Sequence, residues 1–204
     1  MDILGIDEAG RGSVLGPMVI AGVIIPEKME KVLERMGVKD SKRLVPNRRT
    51  ILSRKLKKMF EYEIVVISAL EIDKMRADGI NLNDIEKNAM RDLIIRLNPE
   101  KAIVDAVDVK AERFQNYLCE STGVNVIAEH KADDKYIEVS AASIIAKAER
   151  DAQIAEINKE YIKTGGIGSG YPSDPTTKKF LNNYTYDEMP EFVRKSWATV
   201  SKMK

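Results

Sequence analysis

Asp7 and Glu8 close an apolar run, Ile3 to Ile6, and lead directly into Gly10-Arg11-Gly12. The run reads as a short buried strand, so two adjacent carboxylates stand at its tip beside a glycine turn. Carboxylates this close repel, and holding them near a core is costly unless a cation is bound. The pattern asks for a divalent metal and for further acids elsewhere in the chain. It also constrains the fold, because Met18 to Ile25 follows as a longer buried strand closed by Pro26. Strand therefore turns to strand, not to helix, across the glycine loop.

The rest of the chain alternates between the two periodicities. Glu27 to Met36 looks helical and is followed by a polar connection, Gly37 to Arg43. Pro46 to Phe60 places Ile51, Leu52, Leu56 and Met59 at helical spacing, with basic residues on the other sides. Glu63 to Ser68 is a β-rich run, Asn83 to Leu97 a helix stopped by Pro99, and Ala102-Ile103-Val104 a buried strand ending at Asp105. Ala111 to Glu120 reads as helix, Asn125 to Ala128 as strand, and Val139 to Tyr161 as a long helix broken by Gly165-Gly166 and Gly168 to Gly170. Short helices are expected around Phe180, Leu181 and Trp197. Interleaved strands and helices opening on a hairpin predict an α/β domain with a mixed sheet. A chain of 204 residues is long enough for one such domain with a small appended lobe.

Acids recur at three predicted strand ends: Asp7-Glu8, Asp105, and Asp133-Asp134. Any one of them has an ordinary alternative as a helix cap. Their conjunction favours Mg²⁺ or Mn²⁺ held by hard oxygen ligands beyond the strand ends of an open sheet. One histidine, His130, and one cysteine, Cys119, disfavour zinc and exclude an internal disulfide. Two such ions serve in-line displacement at phosphorus. Gly10-Arg11-Gly12 fails as a dinucleotide fingerprint, since strand follows it and two acids precede it, and no Walker motif is present. Its small backbone can nevertheless approach a sugar or phosphate closely. Tyr171, between Gly170 and Pro172, is placed to stack on a sugar or base. Basic residues gather at Lys39, Lys42 and Arg43 and along Arg48 to Lys58, with a solvated helix face as the ordinary reading. The net charge of +1 names no partner. No run approaches a membrane span and no export signal opens the chain, so a cytoplasmic location is expected.

Several segments, in order, resemble type 2 ribonuclease H (the ribonuclease HII family) in its compact archaeal form. They are Gly5 to Gly12, Asp40-Ser41-Lys42, Val104-Asp105, Glu129 to Asp133, Ala142 to Lys147 and Gly168 to Pro175. The resemblance implies a ribonuclease H-like fold with a five-stranded mixed sheet flanked by helices. The α/β core would run to about residue 164, and a C-terminal helical lobe would occupy about 165–204. It implies hydrolysis of RNA in RNA–DNA hybrids and cutting 5′ of single ribonucleotides in duplex DNA, leaving 3′-hydroxyl and 5′-phosphate ends. Repair and replication are the matching tasks. Asp7, Glu8, Asp105 and Asp133 would hold two Mg²⁺ or Mn²⁺ ions. Chemistry alone does not choose between Asp133 and Asp134; the family's Lys-Ala-Asp order selects Asp133. Gly10, Arg11 and Gly12 would read the 2′-hydroxyl, which distinguishes RNA from DNA. Tyr171 would pack on the neighbouring deoxyribose, and Lys42 and Lys147 would contact phosphates. No hybrid-binding domain is expected ahead of Met1; the last residues lack the clamp-binding pattern found in many relatives, so that partner is not predicted, and a monomer is the default expectation. A resolvase or exonuclease on the same scaffold would need the acids but not the Gly-Arg-Gly and Tyr171 elements. A catalytically idle hybrid-binding module would have lost an acid.

Overall fold

The computed structural model describes every residue from Met1 to Lys204. Five strands form one mixed sheet in the order β3-β2-β1-β4-β5: β1 (Asp2–Ala9), β2 (Met18–Pro26), β3 (Tyr62–Ile67), β4 (Lys101–Asp105) and β5 (Asn125–Glu129). β1 is central, which is why Ile3, Leu4 and Ile6 are all buried despite pointing to alternate faces. It pairs in parallel with β4, Ile6 opposite Val104, and β4 pairs in parallel with β5, Asp105 opposite Glu129. The strand is longer than its apolar run predicts. Because neighbours on both sides supply ladder bonds, Asp7 and Glu8 lie inside β1 and not beyond it.

The helices are α1 (Glu30–Met36), α2 (Pro46–Met59), α3 (Ala69–Ala77), α4 (Leu82–Leu97), α5 (Ala111–Thr122), α6 (Ala132–Lys135), α7 (Ile137–Lys159), α8 (Pro175–Leu181) and α9 (Ala198–Ser201). The long helices fall where periodicity puts them. The apolar stripe of α2 is narrower than expected: Leu52 and Leu56 are buried, whereas Ile51 is 55% and Met59 42% exposed. The polar connection after α1 is a 3-10 turn, Val38–Arg43, with Val38 and Ser41 buried. Two short helices go beyond the sequence reading. α3 begins with a capping box, Ser68 Oγ accepting from the Glu71 amide while Glu71 accepts from the Ser68 amide. α6 follows Lys131, whose positive φ of 56° turns the chain sharply after β5.

Two compact units divide the chain. The first comprises Met1–Ala9, Ile20–Val65 and Asn83–Ala148. Within it, a Cβ on Gly5 would lie 2.1 Å from the Glu138 carbonyl oxygen, so the first turn of α7 rests directly on β1 where no side chain intervenes. The second comprises Gly10–Val19, Val66–Leu82 and Glu149–Lys204. Its core includes Val14, Leu15, Ile154, Phe180 and Val193, with the Tyr161 ring edge-on to Phe180 at 5.1 Å. No helix is long and apolar enough to cross a membrane.

Candidate active site

The first unit gathers the acids. One step beyond the Ile6–Val104 pair, the parallel register of β1 and β4 brings Asp7 and Asp105 level. Asp105 reaches onward, its carboxylate accepting from the Ala132 amide at 3.2 Å. That bond ties the start of α6 to the end of β4 and brings in Asp133, the next residue. Asp133 is buried, whereas its neighbour Asp134 is exposed. Each acid repels the next: Glu8 and Asp105 act on Asp7, and Asp133 acts on Asp105. Asp7 is 5% exposed, and burial first, then Glu8, pushes its carboxyl well above the ordinary range, partly offset by Ser143. Burial also raises the Asp105 carboxyl, against the Ala132 bond. The four acids form a row; as the side chains stand, no three draw together into a ready coordination sphere.

Lys42 lies at one end of this row. Its ammonium sits 2.6 Å from Asp134 and 3.3 Å from Asp133, and the Asp134 bond raises its pKa. Lys147 is half-buried on α7. His130 faces the Val109 carbonyl at 3.2 Å, and Cys119 bonds the Val126 main chain, so both are occupied structurally. The basic residues of α2 mostly lie on its exposed face.

The second unit holds the glycine loop and the tyrosine turn. Gly10 has a φ of 79°, and a Cβ there would come within 2.3 Å of Arg150 Nε; Gly170, with φ of 84°, is hemmed in by Ser13 and Arg150. Val14 and Leu15 amides both donate to the Gly170 carbonyl, at 2.8 and 3.1 Å. Buried Arg150 donates to Ser13 Oγ at 2.6 Å and to the Ser169 carbonyl at 3.1 Å, and its guanidinium faces the Tyr171 ring at 4.9 Å. Tyr171 itself is 38% exposed. Asp174 caps α8 and accepts from Ser169 and Thr176 amides, which lowers its pKa to about 2. Sequence reasoning found the loop and the turn but missed Arg150, Arg194 and Asp73, whose partners are remote in sequence. Arg150 lies just past the recognised Ala142 to Lys147 segment, whereas no motif singles out Arg194 or Asp73.

A five-stranded mixed sheet in this order, flanked by helices, places the chain in the ribonuclease H-like fold class. A family model for ribonuclease HII matches residues 4–200. Ribonuclease HII of Methanobrevibacter smithii is 82% identical over 204 residues, covering 100% of this chain and 99% of that one. The crystal structure of ribonuclease H2 from Pyrococcus horikoshii superposes with a TM-score of 0.90 at 40% identity, covering 100% of this chain and 97% of that one. The ribonuclease HII of Archaeoglobus fulgidus, solved in complex with PCNA, gives a TM-score of 0.88 at 43% identity over 97% of this chain and 95% of that one. The chain belongs to the ribonuclease HII family.

Proposed function

We propose that this chain, an endoribonuclease acting on the RNA of RNA–DNA hybrids, also cuts duplex DNA on the 5′ side of a single embedded ribonucleotide. The products would be 3′-hydroxyl and 5′-phosphate ends. The observation that carries the reading is the row Glu8, Asp7, Asp105 and Asp133, in which a buried carboxyl stands among like charges. Such a row is stabilised by cations, and Lys42 already lies against its Asp133 end. The donors are all hard carboxylate oxygens, which fits Mg²⁺ or Mn²⁺ and not zinc. Asp7, Glu8, Asp105 and Asp133 would hold two such ions. Bound there, divalent ions supply the charge stabilisation required by in-line displacement at phosphorus.

The remaining roles belong to the chain's own groups. Gly10, Arg11 and Gly12 would read the 2′-hydroxyl through a backbone that is open at Gly12, where an added Cβ would meet nothing within 4 Å. Tyr171 would pack on the adjoining deoxyribose, its ring oriented by Arg150. Lys147 would contact a phosphate, and Lys42 would exchange its carboxylate partners for one when substrate and ions arrive. The test is Asp7→Asn and Asp105→Asn: each is expected to lose metal-dependent cleavage by about a hundredfold or more while duplex binding survives. Undiminished turnover in either variant would remove that acid from the site.

A further inference from the structure

Arg194 is the largest of the fully buried side chains, with 0% exposure. A buried guanidinium is costly unless its donors are used, and these are spent on one loop. Nη2 donates to the Gly10 carbonyl at 2.7 Å, Nη1 to Arg11 at 3.0 Å and Nε to Gly16 at 3.0 Å. Its backbone amide donates to Val14 at 2.9 Å. The guanidinium also faces the Trp197 ring at 4.7 Å, and Trp197 Nε1 donates to the Gly12 carbonyl at 3.4 Å. Arg194 and Trp197 between them thus meet the carbonyls of Gly10, Arg11 and Gly12.

This has a consequence for the opposite side of the loop. Across a trans peptide the N–H points away from the C=O of the preceding residue, and the chain has no cis bond. Holding the Gly10 and Arg11 carbonyls therefore fixes the direction of the Arg11 and Gly12 amides, which are turned away from Arg194. The clamp is itself anchored: Asp73 on α3 accepts from the Lys195 amide at 2.7 Å, the Ser196 amide at 3.0 Å and the Ser196 hydroxyl at 2.6 Å.

We propose that Arg194, assisted by Trp197 and braced through Asp73, is a positioning residue for ribose discrimination: it sets the Arg11 and Gly12 amides in the direction from which they meet a 2′-hydroxyl. The inference rests on the reading of Gly10-Arg11-Gly12 given under Proposed function. Lysine at 194 keeps the charge but cannot serve three carbonyls with a planar fork, so the peptide planes of the loop are released.

The test is equilibrium binding of the full chain, in chelator so that no metal-dependent cleavage occurs, to labelled duplexes with and without one ribonucleotide. Arg194→Lys is expected to reduce the preference for the ribonucleotide duplex by roughly fivefold or more, with all-DNA affinity unchanged. The emission of Trp197, the single tryptophan, is expected to shift in the same variant. Thermal unfolding is measured alongside, and if Arg194→Lys does not fold, Trp197→Phe, which removes the Nε1 donor and part of the ring that faces Arg194, is expected to lose preference by roughly threefold. A folded variant that keeps full preference, or that loses both affinities equally, overturns the positioning role. A native chain with no ribonucleotide preference overturns the ribose-reading assignment itself, and the inference with it.

Discussion

Asp7 is the residue at which burial and charge conflict most directly. Its carboxyl is held well above its ordinary value of 3.8 by burial, Glu8 and Asp105. Between 3.8 and that raised value the folded protein retains a proton that the unfolded chain releases, so this group's contribution to stability is full below 3.8 and is lost as pH rises from there through the folded value. Asp7→Asn cannot ionise. In chelator at neutral pH it is expected to raise the thermal midpoint by several degrees; a lowered midpoint would mean that the charge is satisfied within the fold. Asp174 has the opposite sign. Ser169 holds its carboxyl at about 2, so its contribution is full above the ordinary 3.8 and is lost as pH falls from there through about 2. Tyr171→Ala tests the exposed ring. Loss of stacking at this scale is expected to slow cleavage at a single embedded ribonucleotide by roughly tenfold or more, with little change in unfolding temperature. Equal activity would leave Tyr171 as a turn residue.

At the scale of elements, two close approaches carry the geometry. β1 and α7 meet at Gly5, where an added Cβ would sit 2.1 Å from a backbone oxygen. Gly5→Ala must push strand and helix apart and is expected to cost about 3 kcal/mol, read by chemical denaturation. α8 depends on its cap, and Asp174→Ala is expected to cost about 1 kcal/mol at neutral pH, with most of the difference gone by pH 2. The elements also show what could be read in the sequence. β2 and α4 announce themselves by apolar runs and spacing, and their bounds lie within a residue of expectation. α6 spans four residues, Ala132–Lys135, too few for any period, yet it carries Asp133. α3 was legible only as the Ser68…Glu71 pair that caps it. Ile51 and Met59 misled because spacing identifies a stripe but not the width that packing covers.

For the molecule as a whole, Asp7, Glu8 and Asp105 were legible as candidates because a strand-end motif is local, and the chemistry of adjacent carboxylates can be argued without a fold; Asp133 was separable from Asp134 only by resemblance. Arg194 and Asp73 were not legible, because their meaning lies in carbonyls and amides contributed by distant parts of the chain. Family membership unites these local readings, since the ribonuclease HII match extends over residues 4–200. An ion that binds only the native state stabilises it by mass action, by about 2.7 kcal/mol at a hundredfold excess over Kd. Mg²⁺ or Mn²⁺ is therefore expected to raise the unfolding temperature of the native chain but not of Asp7→Asn. An equal rise in both would place the ions elsewhere.

The reaction itself is read by cleavage of an end-labelled DNA duplex carrying one ribonucleotide, with Mg²⁺, Mn²⁺ or chelator, beside an all-DNA duplex. A single metal-dependent cut on the 5′ side of the ribonucleotide, leaving a 3′-hydroxyl and a 5′-phosphate, is the expected result. Cutting of the all-DNA duplex, or tight binding of the ribonucleotide duplex with no metal-dependent cut, would contradict it.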